Sequence, residues 1–269
     1  MSLENQDNNS VSEQAPRKIV IASRSTISEA ESQAVRDLPL LPMDFISLGV
    51  GQGSTDNRHF VQTVISQATS GEVAAVALVE EDDIRNSHFQ LAKDAAAILK
   101  RTHKPVILMH GLSRVGSKGP ILATIVGRGE KSRLTGCRLD HVANLPGTEV
   151  AVVTIARPFR PMFSRVAVGM HQSLNTAVRE IHDDQTREAA DEAMFLCEQF
   201  RSKGAKSWSI GRVGKLSTEI RDAAESSDCS LLCFFADLRD INHERRFRSV
   251  LSELIDTSDV PIMIVPPYA

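Results

Sequence analysis

The sequence predicts an α/β protein: two tandem doubly wound, parallel-sheet domains with a β-rich connector between them. Three observations carry that expectation. Short β-branched runs alternate with amphipathic segments of helical period. The same order recurs in the second half, and three landmarks share nearly one offset: Ile84 and Ile241 lie 157 residues apart, Pro105 and Pro261 156, Gly49 and Gly211 162. The length, 269 residues, accommodates two domains of ordinary size.

The elements follow in order. Lys18 to Ala22 is a strand. Thr26 to Leu38 is a helix with Ile27, Ala30, Ala34, Val35 and Leu38 on one face, opened by a Thr26-x-x-Glu29 capping box and stopped by Pro39 and Pro42. Phe45 to Val50 is the second strand, and Asp56 to Ser70 a helix ended by Gly71. Val73 to Val79 is apolar throughout, as a strand buried on both faces must be. Ile84, His88, Leu91, Ala92, Ala95, Ile98 and Leu99 form the next helical stripe, and Pro105 to Met109 is the fourth strand. In the second half the strands are Val166 to Gly169, Ser207 to Ile210, Leu231 to Phe235 and Pro261 to Val265. The helices there are Arg187 to Lys203 (Ala190, Ala193, Met194, Cys197 and Phe200 inward), one capped by Ser217, and one marked by Phe247, Val250, Leu251, Leu254 and Ile255. The domain expectation is a disordered tail at 1–16, a first domain at 17–110, a connector at 111–160 and a second domain at 161–269.

The connector carries eight Lys/Arg against three acids, a local charge of +5. Its apolar runs, Ile121 to Val126 and Val150 to Ile155, are expected to pair as an antiparallel extension, hairpin or interface element. The basic excess either balances acidic neighbours or meets an anion or acidic partner.

Composition narrows the function classes. With 42% hydrophobic residues, 15 Gly and 11 Pro, the chain is neither wholly disordered nor collagenous. A net charge of -3 offers no global basic field for nucleic acid. No apolar stretch approaches the roughly 18 residues of a membrane span, and residues 1–16 lack the apolar core of a signal peptide. Cys137, Cys197, Cys229 and Cys233 form no CxxC and no zinc spacing, so they read as inert core thiols of a reduced, cytoplasmic protein. No metal or cofactor is expected.

The second half resembles the universal stress protein family. The run from Gly211 through Arg-Val-Gly-Lys-Leu-Ser-Thr-Glu-Ile to Leu232 is similar to that family's glycine turn, helix and buried strand. Arg248 to Pro267, a helix and then Val-Pro-Ile-Met-Ile-Val-Pro-Pro, is similar to its ending. His103 to Met109 is a weaker echo in the first half. The resemblance, fair over 165–267 and faint over 17–110, implies an adenine nucleotide alpha hydrolase-like five-stranded parallel sheet per copy and pairing of the copies as a pseudo-dimer. It also implies an ATP site in typical members: an Asp ending the first strand and a G-x2-G-x9-G-S/T segment after a later strand. Here Ala22-Ser23-Arg24 and Gly169-Met170-His171 stand at the expected strand ends, without Asp. Asp237 to Phe247 and Glu80 to Asn86 stand at the second segment, without glycine and rich in carboxylates. Backbone N–H groups reach phosphates only where side chains are absent, so the ATP motif is degenerate in both copies.

Two loops remain as ligand candidates. Gly49-Val-Gly51-Gln-Gly53-Ser54 links a strand to a helix, where an anion can meet backbone N–H groups, with Gly49, Gly51, Gly53 and Ser54 as donors. Gly111 to Lys118 has P-loop spacing with Ser117 and Lys118 in reversed order and no helix after it, so it reads as a basic loop offering Arg114, Ser117 and Lys118. His182-Asp183-Asp184 cannot all face one ion from a helix, and Asp183 or Asp184 is expected to open the main helix. His243 to Arg246 reads as a solvated face. No catalytic residue is assigned. The functional expectation is a non-catalytic stress-response or regulatory protein. Its copies pair within the chain or as a homodimer, with a small anionic ligand or protein partner, no nucleic acid and no membrane span. Two alternatives stand: an α/β enzyme acting on a small molecule or nucleotide at the strand carboxyl ends, and a soluble relative of the cytosolic regulatory domain of cation/proton antiporters.

Overall fold

The computed structural model describes residues 17–49, 57–80, 87–110, 119–126, 139, 143–156, 158, 171–235 and 244–266. Nine strands form one sheet: β1 (Lys18–Ser23), β2 (Asp44–Gly49), β3 (Val73–Glu80), β4 (Val106–His110), β5 (Ile121–Val126), β6 (Glu149–Ala156), β7 (Lys206–Val213), β8 (Leu231–Phe235) and β9 (Ile262–Val265). The described helices are α1 (Glu29–Arg36), α2 (Asn57–Ala68), α3 (Ser87–Thr102), α4 (His171–Ser202), α5 (Leu216–Ser227) and α6 (Glu244–Thr257).

The spatial order is β2-β1-β3-β4-β9-β8-β5-β6-β7. Every neighbour pair is parallel except β4 and β9, which meet antiparallel through Val106↔Ile264, Ile107↔Met263 and Leu108↔Ile262. The α/β class and mostly parallel sheet are therefore as the alternation of runs predicts. On either side of the antiparallel seam the order reads as a doubly wound unit: 2-1-3-4 on one side and, from the far edge inward, 7-6-5-8-9 on the other. The seam reverses direction, so the carboxyl ends of β1–β4 and those of β5–β9 lie at opposite edges of the sheet.

Both sheet faces are covered, which explains the near-continuous apolar strands. One core holds Val20, Val76, Leu108, Leu122, Ile262 and Ile264 with residues of α2, α3, α5 and α6. The other holds Ile21, Ile107, Met263 and Cys233 with residues of α1 and α4 and with Leu139, Ala143 and Leu145. Helix α3 packs on α6 across the seam, where the Arg248 guanidinium lies 5.6 Å from the Phe89 ring centroid. No helix among the described residues is long and apolar enough to cross a membrane.

Several local expectations are corrected. The runs at 121–126 and 150–155 are parallel neighbours in full register, not an antiparallel pair or hairpin, and β5 also pairs with β8. They lie inside the sheet because the chain between them is long enough for a crossover. Gly49 ends β2, whereas Gly211 lies within β7, so these two are not equivalent. Helix α1 is capped by Ser28 with Glu31, not by Thr26 with Glu29: Glu31 N donates to Ser28 Oγ at 3.2 Å, and Ser28 N donates to Glu31 Oε2 at 2.6 Å. Ser217 does not cap α5; Lys215 holds the N-cap position, without a side-chain cap. Helix α4 begins at His171, well before Asp183. Its inward residues are Ala189, Ala193, Leu196, Cys197 and Phe200, while Met194 is 42% exposed. The tail at 1–16, Cys137, Ile84, Ile241 and the strand expected at Val166–Gly169 lie outside the described residues.

Candidate functional site

In a doubly wound sheet the ligand crevice forms at the carboxyl ends of strands, where the strand order reverses. In the first unit that point lies between β1 and β3. Registers Ser23↔Gly49, Ala22↔Leu78 and Glu80↔His110 put the ends of β2, β1, β3 and β4 side by side. Ala22, Leu78 and Leu108 face the same core. Strand alternation therefore turns Arg24, Glu80 and His110 toward that face, in one row across three strands.

Arg24 is held there from two helices. Its guanidinium lies 4.8 Å from the Phe60 ring centroid on α2 and ion-pairs with Asp94 on α3. Asp94 is 3% exposed, and its other oxygen accepts Gln90 Nε2 at 2.7 Å. Burial pushes the Asp94 carboxyl above its ordinary range, while the Arg24 hydrogen bond and charge pull it back. The turn beneath is also ordered: Ser25 N donates to the buried Ser23 Oγ at 3.2 Å, and the two seryl oxygens lie 3.0 Å apart. It passes Gly49 closely, since a Cβ there would lie 3.4 Å from Ser25 O.

Of the sequence-derived ligand residues, only Gly49 lies within the described structure. Gly51, Gly53, Ser54, Arg114, Ser117 and Lys118 lie outside the described residues. Their loops leave the same sheet edge, after β2 and after β4, whose ends stand three strand spacings apart, roughly 14 Å. The far end of the second loop is anchored: Ser230 Oγ donates to Gly119 O at 2.7 Å and Ser230 N to Pro120 O at 3.0 Å. A Cβ on Gly119 would lie 1.9 Å from Asp228 O, so glycine is required there.

In the second unit the strand beside β8, in the place β1 takes beside β3, is β5. The sequence after it is Gly127-Arg128, outside the described residues. Of Gly169-Met170-His171, the first two lie outside the described residues, and His171 opens α4. His182, Asp183 and Asp184 are exposed on α4, and no group of three His, Cys, Asp or Glu among the described residues could hold a metal ion. Cys197, Cys229 and Cys233 are buried free thiols. His243 lies outside the described residues, as do the side chains of Glu244, Arg245 and Arg246.

The Arg24–Asp94 tie escaped the sequence reading. Its signal was present: Asp94 falls between Leu91, Ala95 and Ile98 on the buried stripe of α3, where a carboxylate is rare unless paired. Nothing in the sequence said that its partner stands 70 residues earlier.

No family model matches the chain. No curated protein matches it either. The chain is similar to solved universal stress protein structures. One, a candidate universal stress protein from Pseudomonas aeruginosa UCBPP-PA14, is 13% identical with a TM-score of 0.47, covering 94% of each chain. A universal stress protein from Archaeoglobus fulgidus DSM 4304 is 9% identical with a TM-score of 0.45, covering 93% of this chain and 96% of that one. A hypothetical protein solved as a structural-genomics test case is 17% identical with a TM-score of 0.41, covering 55% of this chain and 96% of its own.

Proposed function

We propose that this chain is a non-catalytic regulatory protein of the stress-response kind, made of two universal-stress-like units and unable to take ATP by the family's motif. The units are read as 17–110 and 119–266, paired within one chain through β4 and β9. The buried free thiols fit the reduced, cytoplasmic setting read from the sequence. One observation carries the ATP part of the reading. At the end of β1, where ATP-binding members carry an Asp, stands Arg24, tied to Asp94 and laid on Phe60. Glu80 stands beside it at the end of β3, and Glu81, Asp82 and Asp83 follow in place of the family's glycines. A triphosphate there meets carboxylates instead of free backbone N–H groups.

Any ligand of this first-unit edge is a small anion held by the Gly49–Ser54 loop and by Arg114, Ser117 and Lys118. Thermal unfolding of the full chain with ATP, ADP, AMP and inorganic phosphate tests both parts. The expected result is no shift with ATP, and a shift with phosphate or AMP that Lys118→Ala and Arg114→Ala remove. A ligand at 100 times its Kd stabilises by about 2.7 kcal/mol, which a melting curve resolves. A shift of that size with ATP overturns the proposal.

A further inference from the structure

A small cavity, of about 10 Å³, opens between the carboxyl end of β6 and helix α4. The strand contributes Thr154, Ile155 and Ala156, and the helix Gln185, Glu188, Ala189 and Glu192. The helical residues are spaced i, i+3, i+4, i+7, so a single stripe of α4 faces the strand end. Thr154 is 1% exposed, and among the described residues its Oγ1 has no hydrogen-bond partner. The comparable threonine of the neighbouring strand, Thr124, donates to Cys233 O at 3.0 Å. Leaving a buried hydroxyl unpaired is unfavourable.

Helix α4 cannot shift to relieve it. Gly211, the register partner of Thr154, lies so close under α4 that a Cβ would stand 2.3 Å from Thr186 O and 2.8 Å from Ala190 N. The helix is therefore already at its closest approach, and the cavity beside Thr154 is fixed. Its volume suits one water-sized group. The oxygen-bearing side chains around it are a hydroxyl, an amide and two carboxylates, a donor set that selects hard cations over soft ones.

We propose that this cavity binds one hard divalent cation. In this proposal Thr154 Oγ1 is the inner ligand, and Gln185, which lines the same cavity, supplies a second oxygen. Glu188 and Glu192 supply the compensating charge toward solvent, and water fills the open side. The site lies on the α4 face of the second unit, apart from the Arg24 row and independent of the ATP reading.

The test is calorimetric titration of the full chain, stripped with EDTA, with CaCl2 and separately with MgCl2, alongside Thr154→Val and the Glu188→Gln/Glu192→Gln double variant. The expected result is one saturable site per chain for at least one of the two ions. It is weakened roughly tenfold or more in Thr154→Val and lost in the double variant. In EDTA, Thr154→Val should melt at or above the parent temperature, because it removes an unpaired hydroxyl, which shows that the variant folds. Absence of saturable heat up to about 10 mM, beyond the weakest protein calcium sites, overturns the proposal. Binding that is unchanged in the double variant also overturns it.

Discussion

Arg24 and Asp94 show how a single buried charge organises the end of β1. Asp94 is 3% exposed, and its Arg24 partner is one third exposed. Removing the arginine strands the carboxylate, while removing the carboxylate frees an arginine that can still reach water. The two truncations are therefore unequal. Arg24→Ala should cost about 2 kcal/mol, below the 3–5 of a fully buried pair because of that exposure. Asp94→Asn, which keeps the Gln90 contact, should cost under about 1 kcal/mol. Urea unfolding of the two variants and their double mutant measures the coupling. Equal costs would sink this account. The pH dependence has a definite sign. The folded-state pKa of Asp94 is raised, so its contribution is complete below its ordinary value of 3.8 and is lost as pH rises through the raised value. Relative to Asp94→Asn, the parent should thus gain stability as pH falls from neutral toward 3.8. Exposed Glu72 and Glu253, held low by Lys18 and Lys215, act in the opposite direction, but they are common to both proteins and cancel in the comparison. The sequence signal for Asp94 was its place on an apolar stripe. Its partner was not legible because side-chain pairing across 70 residues follows from the fold and not from spacing.

At the level of elements, capping was legible as a motif but not as a position. Thr26-Ile-Ser-Glu29 and Ser28-Glu-Ala-Glu31 both satisfy the S/T-x-x-E pattern. The structure uses the second, which buries Glu31 to 5% exposure. Ser28→Ala should cost about 1 kcal/mol, and Thr26→Ala, at an exposed position with no capping role, a few tenths at most. Equal losses in thermal melts would return the cap to Thr26. Helix α4 and strand β7 meet through an absent side chain. Gly211→Ala would drive a Cβ into the backbone of Thr186 and Ala190, so α4 must move off the sheet. A loss of about 3 kcal/mol or more is expected from overpacking of this kind, seen as a lowered urea midpoint, whereas Gly71→Ala, with open space around it, should be near neutral. The direction of β5 and β6 was the main failure at this scale. No helical stripe is readable between them. The 22 residues from 127 to 148 nonetheless exceed what a parallel crossover requires.

Over the whole molecule, the strand offsets are not uniform along the chain. Strand β8 begins 158 residues after β3 and β9 156 after β4, as the proline landmarks indicated. But β5 begins 103 residues after β1, and β6 105 after β2. The second unit therefore carries an extra helix and strand, α4 and β7, between its second strand and the counterpart of α2. The two units share more than a linker: β4 and β9 pair in the middle of the sheet, and α3 packs on α6. The seam is only three residue pairs long, yet its residues are fully buried on both faces. Unfolding either unit alone would expose an apolar strand edge and an apolar helix face of the other. Both units should therefore unfold as one cooperative body. Leu108→Ala, at the seam, should cost about 2–5 kcal/mol. Hydrogen exchange should then report the same loss of protection in β3 of the first unit and in β8 of the second. A loss confined to β1–β4, with β8 unchanged, would show that the units fold separately and that the seam is only a contact between finished domains.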